Sequence, residues 1–274
     1  MASVNRRVLP GFSLTLGYTV FYLSVLVLLP IAAVFFKAAT LSFDDFARAV
    51  WTDSTRAAYM LTFGASLVAA VVNLGLGMLV AWVLVRYRFP GRRLVDSLID
   101  LPLALPTAVG GLIYASLYVK NGWLGQYLVP LGIQAAYSRL AIVLVLVFIG
   151  LPFVVRTVQP VLEDMDPETE EAAASLGASR WQTFRSVILP ALYPAMFTGF
   201  ALAFARSLGE YGSVVFVSGN MPYKTEIAPV LIVARLEEFA YGEATAIAMV
   251  LLVISFSMLI MINVLERWTK RADA

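Results

Sequence analysis

Two side chains of opposite charge interrupt an otherwise apolar part of the sequence. Arg206 and Glu210 are four residues apart, a spacing that places both on one face of a helix. Ionisable residues in apolar helices are rare, and they usually face a pathway or each other. Two interpretations are therefore open. The pair fixes the geometry of a helix, or Arg206 offers positive potential to a passing dianion while Glu210 keeps that anion from binding tightly.

The neighbours of this pair extend the candidate pathway. Gly209 and Gly212 suit a hinge or a close contact between helices, and Tyr211 suits either a gate or an aromatic at the membrane interface. The candidate pathway or gate residues are Arg206, Ser207, Gly209, Glu210, Tyr211 and Gly212.

The chain lacks the residues from which most enzymes and metal sites are built. It contains no His and no Cys, so the commonest general base, the commonest metal ligand and every thiolate are missing. No Gly-x-x-x-x-Gly-Lys-Ser/Thr sequence is present to hold ATP. We expect no catalytic residue, no metal site and no cofactor bound by this chain. A membrane enzyme with paired carboxylates is an alternative, although Asp44–Asp45 and Glu237–Glu238 are typical of solvated turns.

The composition predicts a membrane protein. Hydrophobic residues make up 60% of the chain and charged residues only 14%, about half of what soluble domains carry. Apolar runs long enough for a helix to cross a bilayer recur along the chain. We predict an all-α polytopic fold with one transmembrane domain over residues 1–274. Its six spans are predicted at residues 12–36, 58–85, 98–119, 139–158, 188–211 and 244–265.

The third predicted span differs from the others. Pro102, Pro106 and the pair Gly110–Gly111 should kink or break a helix. Broken backbone is tolerated at membrane depth where protein or a wet cavity satisfies its polar groups. A single kinked helix with a structural role is the alternative.

The distribution of Lys and Arg predicts the orientation. Six spans with a cytoplasmic N-terminus place twelve of the 20 Lys and Arg residues inside and seven outside, with Arg206 within a span. Both termini are then cytoplasmic, as is the loop at residues 161–190.

This loop has the local signals of two short helices. Asp166 and Pro167 are typical of a helix start, and Gly177 is typical of a helix end. Ser179 and Gln182 have capping-box spacing, so a second helix is predicted there, closed by Leu-Pro. A loop that fits into a pocket of another protein would have this form. An ordinary helical hairpin that caps the bundle is the alternative.

The loop contains Glu171-Ala172-Ala173, then Gly177, and ends with Val187, Leu189 and Pro190. This spacing resembles the Glu-Ala-Ala (EAA) loop of ATP-binding-cassette (ABC) importer permeases. The departure from the family pattern is a Val where the family has Ile. The resemblance implies a type I ABC importer permease fold and docking of the loop into two separate ATPase subunits, which bind ATP and Mg. The residues expected to couple the chain to the ATPase are Glu171, Ala172, Ala173, Gly177, Val187, Leu189 and Pro190.

Further motifs narrow the resemblance to the sulfate and molybdate branch of these permeases. The Ser-Leu-Gly-Glu-Tyr-Gly motif at residues 207–212, the Leu-Pro-Leu-Ala-Leu-Pro of the third span and residues 219–226 resemble the T-type subunits of bacterial sulfate/thiosulfate importers. This resemblance implies import of sulfate and thiosulfate by alternating access in the bacterial cytoplasmic (inner) membrane. It also implies a second, W-type permease subunit and a periplasmic sulfate-binding protein, with no nucleic-acid partner.

Other transport functions stay open. Molybdate, tungstate or phosphate are alternative cargoes within the importer class. A secondary anion transporter driven by an ion gradient is a further alternative. It would usually show inverted repeats and a pair of interrupted helices, whereas only the third span looks interrupted here.

Overall fold

The computed structural model describes residues 12–272, without the side chains of Ser13 and of residues 265–272. Every regular element in this range is helical. In chain order the helices are α1 (Phe12–Leu23), α2 (Leu29–Ala39), α3 (Phe43–Val50), α4 (Asp53–Arg86), α5 (Arg92–Ile99), α6 (Leu101–Ala104), α7 (Thr107–Tyr118), α8 (Gly125–Leu128), α9 (Arg139–Glu163), α10 (Pro167–Ser175), α11 (Arg180–Thr183), α12 (Leu189–Leu208), α13 (Val214–Val217), α14 (Ala228–Glu237) and α15 (Tyr241–Ala272). Both chain ends, with the N-terminal arginines used for the orientation, lie outside the described residues.

Long apolar helices dominate this architecture. Five stretches are long and apolar enough to cross a bilayer, and each contains most of one predicted span. They are Leu14–Ala39, Asp53–Arg86, Arg139–Glu163, Arg180–Leu208 and Tyr241–Val264. The all-α membrane fold is thereby confirmed, while the total of six spans stays a prediction.

The third predicted span, residues 98–119, is not one continuous helix. It is divided into the end of α5, the single turn of α6 and the twelve residues of α7. Leu105 and Pro106 are extended, because the ring of a proline disfavours the helical conformation of the residue before it. Gly110 and Gly111, in contrast, lie within the unbroken α7. At 1.5 Å per residue α7 is about 18 Å long, too short to cross a bilayer alone.

The fifth predicted span, residues 188–211, has different bounds in the structure. The predicted closure of a loop helix at Leu189–Pro190 is wrong, because helical backbone continues from Arg180 to Leu208. A π-helical turn at Phe184–Ile188 joins α11 to α12, and the Leu189 N–H donates to the Phe184 carbonyl. The chain enters α12 with proline at a first-turn position, where its missing N–H is best tolerated.

Helices α4, α9 and α12 pack against one another and form the centre of the molecule. Small residues allow them to approach closely: a methyl group added at Gly77 would lie 2.7 Å from Val154 Cβ. Fully buried core side chains include Leu84, Val155, Val158, Leu192 and Phe204. Helix α15 packs on α12, α14 and α2, and α13 packs on α7.

Candidate functional site

Helix α10 begins and ends at the predicted residues. The Asp166 carboxylate accepts the Glu168 N–H at 3.0 Å, and Pro167 is the first helical residue. At the other end Gly177 has φ +83°, and its N–H donates to the Ala174 carbonyl at 3.0 Å. The next N–H, of Ala178, reaches back to Ala173 at 3.0 Å, which completes a Schellman motif. The Glu-Ala-Ala segment is therefore a helix of fixed length.

The turn after Gly177 leads directly into the predicted capping box. The Ser179 hydroxyl accepts the Gln182 N–H, and the Gln182 side chain accepts the Ser179 N–H at 2.8 Å. Glu171 and Ala172 are exposed, and 89% of the Leu176 surface is accessible. A short, ordered helix pair with an apolar tip is thus available to another protein.

The remaining predicted coupling residues lie where the loop joins α12. Val187, Leu189 and Pro190 are half-buried, while Ile188 between them is buried in the core. They belong to the continuous helix from α11 to α12, so the loop and the central helix α12 share one helical backbone.

A second connection from the loop to the core was not predicted. Arg86, the last residue of α4, forms an ion pair with Glu170 of α10. Its guanidinium also lies 5.2 Å from the centre of the Trp82 ring, and Trp82 contacts Phe184 edge to face at 5.4 Å. The sequence signal was weak: one Arg at the end of an apolar run.

The divided third span has its own attachment to α9. The Arg156 guanidinium donates to both carboxylate oxygens of Asp100, at 2.9 and 2.6 Å, and to Asp96 at 2.6 Å. These acids flank the end of α5, one turn apart. The sequence predicted no role for Arg156 beyond its place among the Lys and Arg residues that set the orientation. The available signal was the pair of acids at i and i+4 before an apolar helix.

The two charges of the pathway motif are brought together. Arg206 Nη1 lies 2.6 Å from Glu210 Oε2, although α12 ends at Leu208 and Glu210 lies beyond it. The other carboxylate oxygen accepts the Ser213 N–H at 2.9 Å and the Ser213 hydroxyl at 2.8 Å. Glu210 is buried and Arg206 keeps about a third of its side chain accessible. Both carboxylate oxygens therefore have partners within the chain, and the cation is neutralised on one side.

The motif is seated on α7. A methyl group at Gly212 would collide with the Thr107 side chain, and one at Gly111 would collide with the Ser213 backbone. Glycine at both positions is thus required by close contact between the motif and the start of α7. The other candidates differ: Gly209 is exposed with open space beside it, and Tyr211 packs on the core cluster that contains Val214.

Ser207 makes its hydrogen bond within α12. It is buried, and its hydroxyl donates to the Ala203 carbonyl at 2.8 Å within α12. Of the six candidates, Ser207 and Glu210 are buried, and Gly209 is exposed. The other three, Arg206, Tyr211 and Gly212, are half-buried.

The segment at residues 219–226 forms a compact loop on the same end of the molecule as the motif. Gly219, Asn220 and Tyr223 have positive φ, and the Arg139 Nε at the start of α9 donates to the Lys224 carbonyl at 2.8 Å. Burial raises the pKa of Glu226 above its ordinary value, although the charge of Arg235 opposes this shift.

The two groups of predicted residues lie at opposite ends of α12. The predicted coupling residues precede or begin this helix, and the motif starts in its last turn and continues beyond it. Its 20 residues span about 30 Å, which matches the thickness of the hydrocarbon layer. One helix thus separates the two groups by about the thickness of a membrane.

The sequence matches one established family over most of its length. The family model described as binding-protein-dependent transport system inner membrane component covers residues 73–271. The chain belongs to this family. It is therefore the membrane component of a transport system and not an enzyme, as predicted.

Curated relatives of this inner membrane component are similar to it from end to end. The sulfate transport system permease protein CysT of Salmonella typhimurium is 48% identical over 97% of this chain and 96% of its own length. The protein of the same name from Escherichia coli K12 is 48% identical over 96% and 95% of the two chains. A probable sulfate permease of Nephroselmis olivacea is 51% identical over 94% and 90%.

Solved structures confirm the predicted fold of this inner membrane component. A chain of a bacterial ABC transporter that imports alginate superposes with a TM-score of 0.77 at 16% identity, over 93% of this chain and 94% of that one. The alginate transporter in complex with its periplasmic protein gives the same TM-score at 18% identity, over 94% and 95%. The type I ABC importer permease fold is thus shown for a multi-pass membrane protein.

Proposed function

We propose that this chain is a permease subunit of an ATP-driven importer that moves sulfate and thiosulfate into the cytoplasm by alternating access. The observation that carries the proposal is the 48–51% identity, over nearly the whole chain, to proteins named as sulfate permeases. The motif at residues 206–212 resembles that of the sulfate and molybdate branch of permeases. Molybdate or tungstate is the second candidate cargo because that branch contains both kinds of permease.

The proposed assembly contains a second, W-type permease, two ATPase subunits and a periplasmic sulfate-binding protein. ATP and Mg would bind to the ATPase chains. The exposed α10 with its apolar tip at Leu176 supports docking of an ATPase. We place the loop and both termini on the cytoplasmic side of the bacterial inner membrane, with six spans, because this arrangement satisfies the bias of Lys and Arg.

In the proposed mechanism, ATP-driven closure of the ATPase pair pulls α10. The force would reach the core through the continuous helix from Arg180 to Leu208 and through the Arg86–Glu170 ion pair. At the other end of α12, the Arg206–Glu210 pair and its contact with α7 would open or close the outer mouth. A pathway needs only a difference in affinity between its two states.

Weak binding of the anion along the pathway is part of the proposal. Glu210 neutralises Arg206, so a passing dianion meets only part of the guanidinium. An ion that is bound weakly can leave the pathway again. Selectivity then resides mainly in the periplasmic binding protein.

Reconstitution of the complete transporter in liposomes tests this function. We expect ATP hydrolysis to be stimulated by binding protein loaded with sulfate or thiosulfate and to be accompanied by uptake of labelled sulfate. If only binding protein loaded with molybdate stimulates ATP hydrolysis, the cargo is molybdate and not sulfate. Uptake that follows an ion gradient in the absence of ATP would overturn the importer class.

A further inference from the structure

The two halves of the interrupted third span both pack on α9, and the second half has further helical neighbours. Before the break, α5 and α6 pack on α9; after it, α7 packs on α13 and α8 as well as on α9. The residues between them, Leu105 and Pro106, are extended, so no continuous helical hydrogen-bond ladder joins α6 to α7. A bend at this link would therefore break no helical hydrogen bond between α6 and α7.

Arg156 is the principal polar attachment of the first half to α9. A guanidinium has five N–H donors. Here Nε and Nη2 bind the two oxygens of Asp100, Nη1 binds Asp96 and Gln159, and Nη2 also binds the Asp96 carbonyl, all at 2.6–2.9 Å. Every donor is therefore used, and four of the five bonds hold the α5–α6 segment.

The geometry requires arginine and not merely a positive charge. The planar fork of arginine matches one carboxylate with two parallel bonds and keeps donors for a second. The three donors of a lysine sit on one nitrogen and cannot reproduce the paired contact with Asp100 while also reaching the Asp96 carboxylate and the Asp96 main-chain carbonyl. Ile99 and Pro102, which are buried, complete the contact between this segment and the core.

Helix α9 is followed directly by α10, which we call the coupling helix because it contains the predicted coupling residues Glu171, Ala172 and Ala173. Helix α9 ends at Glu163, and Pro167 starts α10 after only three intervening residues. A second, longer ion pair, at 4.0 Å between Arg92 and Glu163, links α5 to this same end of α9. A displacement of α10 would therefore act directly on the end of α9, where α5 is also bound.

We propose that Arg156 is a positioning residue for energy coupling: it makes α5 and α6 move as one body with α9 and α10, while the Leu105–Pro106 link flexes. The inference rests on the proposed function, because it assigns a route to the force that the ATPase supplies. It adds a third connection to those through α12 and through Arg86. The pathway motif, which is seated on α7, then lies on the other side of the flexible link from the coupling helix.

The first test measures sulfate transported per ATP hydrolysed in the reconstituted transporter. We expect Arg156→Gln and Arg156→Lys to lower this ratio about tenfold, the equivalent of one lost charge-assisted hydrogen bond, while ATP hydrolysis persists. The matched control is Arg93→Gln, which removes an exposed arginine from α5 itself. The pair Arg156→Glu with Asp100→Arg should recover transport, since the new arginine would lie between two carboxylates, one of them Asp96.

Two outcomes would overturn the role of Arg156. One is a normal ratio in Arg156→Gln. The other is a parallel fall of transport and hydrolysis together with a lower melting temperature, which would mean a structural role only. Failure of the proposed function is distinguishable, because it would appear in the unmodified transporter as a lack of ATP-dependent sulfate uptake.

The second test observes the rigid unit directly and needs no transport. The chain contains no Cys, so two spin labels can be attached at Leu94→Cys on α5 and Asp164→Cys after α9, both exposed positions. We expect the distance between the labels to be the same with and without ATP, and to broaden in Arg156→Gln. A distance that changes with ATP in the otherwise unmodified chain would refute the rigid unit.

Discussion

At Glu210 both carboxylate oxygens already have partners within the chain. One binds Arg206, and the other binds the Ser213 N–H and hydroxyl. Burial of an ionised carboxylate costs free energy, and this cost is offset only while the cation remains paired with it. The geometry therefore favours a structural pair over an open anion site, because binding of an anion to Arg206 would have to compete with Glu210.

This residue-scale argument predicts unequal effects of two substitutions. Arg206→Ala should lower the stability of the complex by about 3 kcal/mol and impair uptake, because it leaves a buried charge unpaired. Glu210→Gln should lower stability less, by about 1 kcal/mol, since the amide retains hydrogen-bonding capacity and Arg206 is partly accessible. Thermal melting of the purified complex measures both.

The double variant separates the two roles of Arg206. If the pair is structural, Arg206→Ala combined with Glu210→Gln recovers much of the stability and uptake lost in Arg206→Ala. Recovered stability without recovered uptake would instead place Arg206 on the anion pathway.

At the level of elements, the coupling helix was predictable because its signals are local. The N-cap at Asp166, the capping box at Ser179 and the glycine at position 177 act within a few residues of themselves. Such contacts depend little on the rest of the fold, so their spacing in the sequence was sufficient. The same holds for the long apolar helices, whose composition alone indicates a bilayer environment.

Contacts between distant segments could not be read in this way. Arg86 and Glu170 are 84 residues apart, and Arg156 and Asp96 are 60 apart. The sequence was compatible with many pairings of charges. The packing of α4, α5 and α9 determines that Arg86 pairs with Glu170 and Arg156 with Asp96. The predicted end of a helix at Leu189–Pro190 failed for a different reason. A proline in the first turn of α12 is compatible with a helix that continues through the preceding π-helical turn.

Gly177 provides a prediction at this scale. Its φ of +83° is strained for any residue with a Cβ, by about 1–2 kcal/mol, although space around it is open. We expect Gly177→Val to abolish sulfate uptake with the protein still inserted, because the turn that sets the angle between α10 and α11 would change. Gly177→Asn should retain more activity, since asparagine tolerates this conformation.

Gly132 is the matched control for Gly177. It has φ +78° and open space, but it lies in the loop after α8, far along the chain from the coupling loop. Gly132→Val introduces the same backbone strain there, and it should leave uptake largely intact. Equal loss of uptake in both variants would show that strain alone, and not the coupling loop, explains the effect. Full uptake in Gly177→Val would count against docking through this loop.

At the scale of the whole molecule, the predicted coupling residues and the pathway motif lie at opposite ends of α12. The predicted coupling loop precedes this helix, and residues 219–226 follow the motif at its end. In a membrane, these ends face opposite compartments when α12 crosses the bilayer.

The proposed orientation is testable because the chain contains no Cys. We expect a single cysteine at Asp164 to react with a membrane-impermeant maleimide only in inside-out vesicles, and one at Tyr223 only in right-side-out vesicles. Both positions are exposed in the fold. The opposite pattern would invert the orientation and place the coupling loop outside the cell. Labelling of both from one side would contradict a crossing by α12.

The contact between Gly212 and Thr107, with that between Gly111 and Ser213, leaves no room for even a methyl group. The motif and the start of α7 are therefore two halves of one fitted surface, although about a hundred residues of chain separate them. Anyone who builds chimeras to change the cargo should transplant both halves from the same donor permease. A graft of the motif alone would place its side chains against a recipient α7 whose surface does not fit them.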